Sequence, residues 1–340
     1  NALTLEQLTS EYTHAGSLIT FFQFLLISLY GLPKHTTWTR TGPRFKQRRI
    51  PLKPYVIQVA LFYGISLLNN AAFAYEIPMP VHIIFRSGGL VVSMLLGWIV
   101  AGKRYTWRQV FAVVLVTLGV VFTTLSASKP ASTTSNTNKT EAHTYTYATG
   151  IALLAFALLL SGFLGLVQDW TYSKYGRPTS HPSASEKQTD TSPAWQESMF
   201  YLHFLALPMF LSMRTNLATQ LAAVHAGPRL SLRLPSTKHA SISSVSIPHA
   251  YLPLLLNTLT QLLCVAGVHR LTTRVSALSV TLVLVVRKAV SLVLSVLMGG
   301  AGKKVRPGML WGGAVMVLVG TVVYSVGSRS PSKQEKNKEE

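Results

Sequence analysis

Nine apolar windows recur along the chain, each close to the length that an α-helix needs to cross the ~30 Å hydrocarbon core of a bilayer. They lie at 16–32, 54–75, 80–101, 110–127, 147–167, 198–213, 250–268, 276–299 and 309–326. Lipid offers no partner for a backbone amide, so a spanning segment must satisfy its own hydrogen bonds, and such windows are predicted as helices. Charged residues make up only 12% of the 340, against about 25% in an average soluble protein. The predicted fold class is an all-α polytopic membrane protein.

The formal charge of +20 would suggest nucleic acid in a soluble protein. Here the basic residues lie mainly in the connections between apolar runs, the pattern that orients membrane proteins, so no nucleic-acid partner is expected. With the basic connection 34–53 taken as cytosolic, alternate connections and the C-terminal tail hold 19 Lys or Arg, and the opposite side holds nine. The turn with Lys303, Lys304 and Arg306 and the segment 225–244 run against this orientation. Asn138-Lys139-Thr140 is a glycosylation sequon, and it falls on the lumenal side. Cys264 is the only cysteine and lies in an apolar run, so neither an intrachain disulfide nor a cysteine-based metal site is expected. The opening "NALTLEQLTSEYTHAG" lacks the basic and apolar regions of a signal peptide.

An internal repeat accounts for the misplaced basic turn. At a shift of 201 positions Arg86 meets Arg287, Lys103 meets Lys304 and Gly119 meets Gly320. The third and eighth windows then correspond. A separation of five helices places the two copies in the membrane with opposite orientation. The expected architecture is a ten-helix inverted repeat, five plus five, with about nine spans here because most of a first helix precedes the given sequence. The first repeat covers 1–127, a lumenal connection 128–146, and the second repeat 147–326. The second repeat includes a cytosolic linker at 169–197 and a lumenal loop at 214–249, and 327–340 is a cytosolic tail.

The connections account for every Lys and Arg but three: Arg86, Arg287 and Lys288. Charges at such depth cost about 2.5 to 3.5 kcal/mol each on insertion scales. The eleven Asp and Glu lie in connections, tails or span ends, with Glu76, Asp169 and Glu197 nearest the membrane. Without a mid-span carboxylate, the simplest partner is an anion that comes and goes. An arginine fork suits phosphate oxygens, and lysine adds a movable point charge. The competing reading is that these cations snorkel to the interface or bind lipid headgroups. Adjacent helical residues point about 100° apart, so Arg287 and Lys288 cannot both face one cavity squarely. Thr281, Lys288, Ser291 and Ser295 share a broad face, which favours Lys288.

Ser87 adds a hydroxyl beside Arg86. Gln23, Tyr63, Asn69, Asn70, Asn257, Thr258 and Gln261 are further polar groups inside spans. They could read a base or sugar, or equally make hydrogen bonds between helices. His82 and His203 have no metal-ligand spacing and read as satisfied core residues.

The stretches "GSLITFFQF" from Gly16, "LLNNAAFAYEIPMPVHIIFRSGGL" from Leu67 and "LTTRVSALSVTLVLVVRKAVSLVLSVL" from Leu271 resemble the nucleotide-sugar transporters of the drug/metabolite transporter superfamily. Within that superfamily they are similar to the UDP-N-acetylglucosamine/UDP-xylose transporter group. The resemblance implies import of a UDP-sugar into the ER or Golgi lumen in exchange for UMP, by alternating access, with no covalent chemistry and no cofactor. It makes Arg86, Arg287 and Lys288 phosphate-side contacts. The chain departs from the family at its start, where "NALTLEQL" looks like the tail of the first helix, and in its long Ser/Thr/Pro linker. Lys336 and Lys338 in the ending "KQEKNKEE" resemble a dilysine retrieval signal read by coat proteins, which sits as well with a plain solvated tail. A homodimer is also compatible with the sequence.

Two other functions compete with this reading. A permease of the same fold for another phosphorylated metabolite shares the cation logic and lacks base-reading groups. A polytopic transferase requires a His, Asp or Glu constellation near the membrane, and the spans hold none.

Overall fold

The computed structural model describes residues 2–12, 15–40, 42–72, 88–127, 140–176, 193–234, 243–298 and 307–329. The order of elements is α1 (Ala2–Glu11), α2 (Gly16–His35), β1 (Thr36–Thr39), β2 (Gly42–Phe45), α3 (Leu52–Ala72), α4 (Gly89–Ile99), α5 (Trp107–Ala127) and α6 (Thr140–Tyr175). There follow α7 (Ala194–Ala206), a 3₁₀ segment (Leu207–Met213), α8 (Arg214–Ala226), β3 (Arg229–Leu234), β4 (Ser243–Pro248), α9 (Tyr251–Thr272), α10 (Ala277–Met298) and α11 (Pro307–Arg329). Among the described residues, four helical stretches are long and apolar enough to cross a membrane: Gly16–His35, Ala148–Tyr175, Tyr251–Thr272 and Gly308–Gly327.

Side-chain placement on these helices is reversed relative to a water-soluble protein. On α9 the exposed stripe is Leu252, Leu255, Leu256, Leu259 and Leu263, while the opposite face buries Asn257 and Thr258. On α11 the exposed stripe is Trp311, Val315, Leu318, Val322 and Val326. Steps of three and four residues put each set on one side of its helix. Such faces are stable against lipid tails and costly against water.

The chain divides into two compact units. One comprises Asn1–Val59 and Thr171–Arg274, the other Ala60–Trp170 and Val275–Glu340, so each draws on both halves of the sequence. In the first unit Leu8, Ala15, Leu18 and Ile19 pack on Val224, Ala250 and Leu254. A second cluster gathers Ile50, Tyr55, Tyr172, Phe200 and Tyr201. Helix α2 comes so close to α7 that a β-carbon added at Gly31 would lie 2.6 Å from Phe200 Cδ2.

The second unit is built on the contact between α5 and α11. Ala112, Val113, Val116 and Val120 pack with Val317 and Tyr324, and with Leu278, Leu282, Val285 and Ala289 of α10. A β-carbon at Gly119 would lie 2.7 Å from Gly313 O and 2.9 Å from Val317 Cγ2; one at Gly320 would lie 3.0 Å from Ala112 O and 2.6 Å from Val116 Cγ2. Ascending α5 from Ala112 to Gly119 thus descends α11 from Gly320 to Gly313, and the two helices are antiparallel. The shift of 201 carries Gly119 to Gly320, Ala112 to Gly313 and Val116 to Val317. The two sets of contacts are therefore images of each other, down to the carbonyl and the valine Cγ2 involved.

Two antiparallel hairpins were not expected from an all-helical reading. Strand β1 pairs with β2 in the basic connection 34–53, and β3 with β4 in the segment read as the loop 214–249. That segment also holds α8. Thr-Trp-Thr suits a strand, and Gly42 supplies the positive φ of 112° needed where the chain reverses.

Candidate functional site

Helix α10 carries the predicted cation pair. Its buried side, Leu278, Leu282, Val285 and Ala289, packs into the core of the second unit. Arg287 lies on the other side, in an exposed stripe with Val283, Val290 and Leu294. The position of Lys288 is about 100° round the helix from Arg287, and its side chain is outside the described residues. Thr281 and Ser291 are half-buried, and the Thr281 hydroxyl donates to Ala277 O at 2.8 Å. Arg86, Ser87, Asn138, Lys336 and Lys338 lie outside the described residues, as does the side chain of Asn70.

Charge in this part of the chain is one-sided. Between Glu197 and Glu335 the sequence contains no Asp or Glu. Helices α9, α10 and α11 therefore carry no carboxylate of their own.

The other predicted contacts fall in two places. Tyr63 and Asn69 belong to the second unit, and Asn69 Nδ2 donates to Ile65 O, 2.9 Å, within α3. Gln23, Asn257 and Gln261 belong to the first. There Gln23 Nε2 donates to Asn257 Oδ1 at 2.7 Å, and Asn257 Nδ2 donates to Thr4 Oγ1 at 3.1 Å. Asn257 is fully buried. This chain joins α1, α2 and α9, and it is the interhelical arrangement that competes with base reading for Gln23 and Asn257.

Two carboxylates that looked peripheral in sequence are buried. Glu197, 3% exposed, accepts from Arg49 N at 2.9 Å, Ile50 N at 3.0 Å and the Tyr55 hydroxyl at 3.2 Å. It thereby satisfies two amides of the chain leading into α3 and pins the basic connection to α7. Asp169 pairs with Lys103. The nearby Tyr105 hydroxyl is held above its ordinary value, first by burial and then by Tyr324 and Asp169. An acid isolated among basic segments was the available signal for both.

His203 is buried, with Nδ1 2.7 Å from Met199 O. Its ring centre is 5.8 Å from that of His269, whose Nδ1 is 3.4 Å from the Tyr172 hydroxyl. Tyr172 also hydrogen-bonds Ser198. Among the described residues no group of three or more His, Cys, Asp or Glu could hold a metal ion.

Comparison with known proteins agrees with this architecture. A solved structure named "Crystal structure of protein" superposes with a TM-score of 0.57 at 12% identity, over 96% of this chain and 94% of that one. The chain is 33% identical over 328 residues to the UDP-xylose and UDP-N-acetylglucosamine transporter of Danio rerio, covering 96% of this chain and 89% of the relative. It is 34% identical over 331 residues to the endoplasmic reticulum GDP-fucose transporter of Drosophila melanogaster, covering 96% and 86%. A family model matches residues 1–328. On this match and these relatives, the chain belongs to the UAA transporter family.

Proposed function

We propose that this chain is a nucleotide-sugar antiporter that moves a UDP-sugar from the cytosol into the ER or Golgi lumen in exchange for UMP. UDP-N-acetylglucosamine is the preferred sugar nucleotide and UDP-xylose the second. The observation that carries the reading is likeness over nearly the whole chain to relatives that bear transporter names. The chemistry supports it. Arg287 and Lys288 lie in an apolar helix, in a region without carboxylates, and an incoming diphosphate supplies about two negative charges.

Alternating access follows from the proposed ten-helix inverted repeat. The mirrored contacts of Gly119 and Gly320 on antiparallel helices support that repeat, because an inverted pair related by a two-fold axis makes each contact twice. Arg86 is then the first-copy counterpart of Arg287. The protein is proposed to be multi-pass with its C-terminus cytosolic, Asn138 lumenal, and Lys336 and Lys338 within reach of coat proteins.

The Drosophila relative favours a second reading, GDP-fucose. Counterflow into proteoliposomes with UDP-N-acetylglucosamine, UDP-xylose, GDP-fucose and CMP-linked sugar as competitors separates the readings. Preference for uridine nucleotides supports the first and preference for GDP-fucose the second. Equal competition by all of them would mean a less selective phosphate permease.

A further inference from the structure

From the hairpin of the first unit we infer that its strands, β1 and β2, form an anchor in the headgroup layer of the bilayer, holding anionic phospholipid. Register fixes its two faces: Trp38 pairs with Pro43 and Thr36 with Phe45, so these four share one face, and Thr37 with Arg44 lies on the other.

The apolar face is only partly seated on protein. Phe45 meets Phe204 of α7 at 5.9 Å between ring centres, and Phe200 and Tyr201 at 6.3 Å. Phe204 is ten residues from the start of α7 at Ala194, about 15 Å along the helix. Phe45 is therefore seated on aromatic side chains of α7, which ties the hairpin to that helix. Trp38, on the same face, is 86% exposed. A tryptophan in that position belongs at headgroup level, where its ring is in apolar surroundings and its N–H is wet.

Charge selects the occupant. Lys34, Arg40, Arg44 and Lys46 surround Trp38 in sequence, and residues 12–75 contain no Asp or Glu. Arg40 and Arg44 are exposed. The hairpin leaves directly from the end of α2, itself long and apolar enough to span, so these cations stay near lipid phosphates. A basic juxtamembrane segment gains about fivefold in binding to an anionic surface for each Lys or Arg.

The test places the full chain in nanodiscs of phosphatidylcholine alone or of equal parts phosphatidylcholine and phosphatidylserine. A polarity-sensitive fluorophore is attached to a Trp38→Cys variant in a Cys264→Ser background. The expected result is blue-shifted emission quenched by headgroup-region spin-labelled lipid, stronger with phosphatidylserine. The pair Arg40→Gln and Arg44→Gln should reduce the phosphatidylserine-dependent part about 25-fold. Brominated lipid should quench the intrinsic fluorescence of the wild type more than that of Trp38→Phe. Water-like emission in both discs, or a signal indifferent to phosphatidylserine, would overturn the proposal. The same spectral change on adding UDP to neutral discs would assign the arginines to free phosphate and would also overturn it.

Discussion

Adjacent glycines on α11 should respond to alanine with opposite signs. A β-carbon at Gly313 would lie 2.6 Å from Gly119 O, 2.7 Å from Thr123 N and 2.8 Å from Thr123 Cγ2, whereas one at Gly312 meets nothing within 4 Å. Two of the three obstacles at Gly313 are backbone atoms, so α5 and α11 must move apart. Overpacking of this kind costs about 1–3 kcal/mol. Alanine gains about 0.8–1.0 kcal/mol over glycine in a helix interior. Gly313→Ala should therefore lose up to about 2 kcal/mol, while Gly312→Ala gains up to about 1 kcal/mol. In detergent melting of a chain this long, the difference separates the two variants by about 2–4 °C. The mirrored contact adds a second comparison. Gly119→Ala meets a carbonyl at 2.7 Å, and Gly320→Ala meets Val116 Cγ2 at 2.6 Å with its carbonyl at 3.0 Å. Both should destabilise, the second less because a side chain can yield. Equal melting temperatures for Gly312→Ala and Gly313→Ala would refute the backbone-to-backbone packing of these helices.

Glu197→Gln keeps one oxygen for Ile50 N and the Tyr55 hydroxyl but replaces the one that accepts from Arg49 N, and should lower stability by about 1.5–3 kcal/mol, the worth of one hydrogen bond to a charged group. Thermal unfolding in detergent tests this, and an unchanged midpoint would mean that the carboxylate carries none of the load. Asn257→Leu removes the bonds to Gln23 and Thr4 and should cost about 1 kcal/mol. If that network only joins helices, the transport KM stays within about twofold; a large rise in KM would restore Asn257 as a substrate contact.

The helices were legible because their apolar windows are long, and α2, α9 and α11 fall where those windows lie. The hairpins were harder. "RLSLRL" alternates polar and apolar residues with a strand's period of two, but inside a basic connection it reads as loop. Helix α8, "RTNLATQLAAVHA", has too few apolar positions to announce a buried stripe. Among the site residues, the α10 cations stood out because a charge in an apolar run is conspicuous. The joining of Gln23 to Asn257 was not legible, since 234 positions separate them and only tertiary packing selects one of many polar partners. The burial of Glu197 was hidden for the same reason: its partners are backbone amides, which a sequence does not mark. The exact mirror of Gly119 and Gly320 was the reverse case, present as one matched landmark and given meaning by the contacts of both glycines.

The central claim is exchange of a UDP-sugar for UMP at a cationic site. Proteoliposomes containing the protein, preloaded with UMP, should take up labelled UDP-N-acetylglucosamine well above empty-loaded vesicles. Lys288→Ala should abolish that stimulation while leaving the melting temperature unchanged. Uptake that is indifferent to internal UMP, or as fast in Lys288→Ala as in the parent protein, would contradict the account.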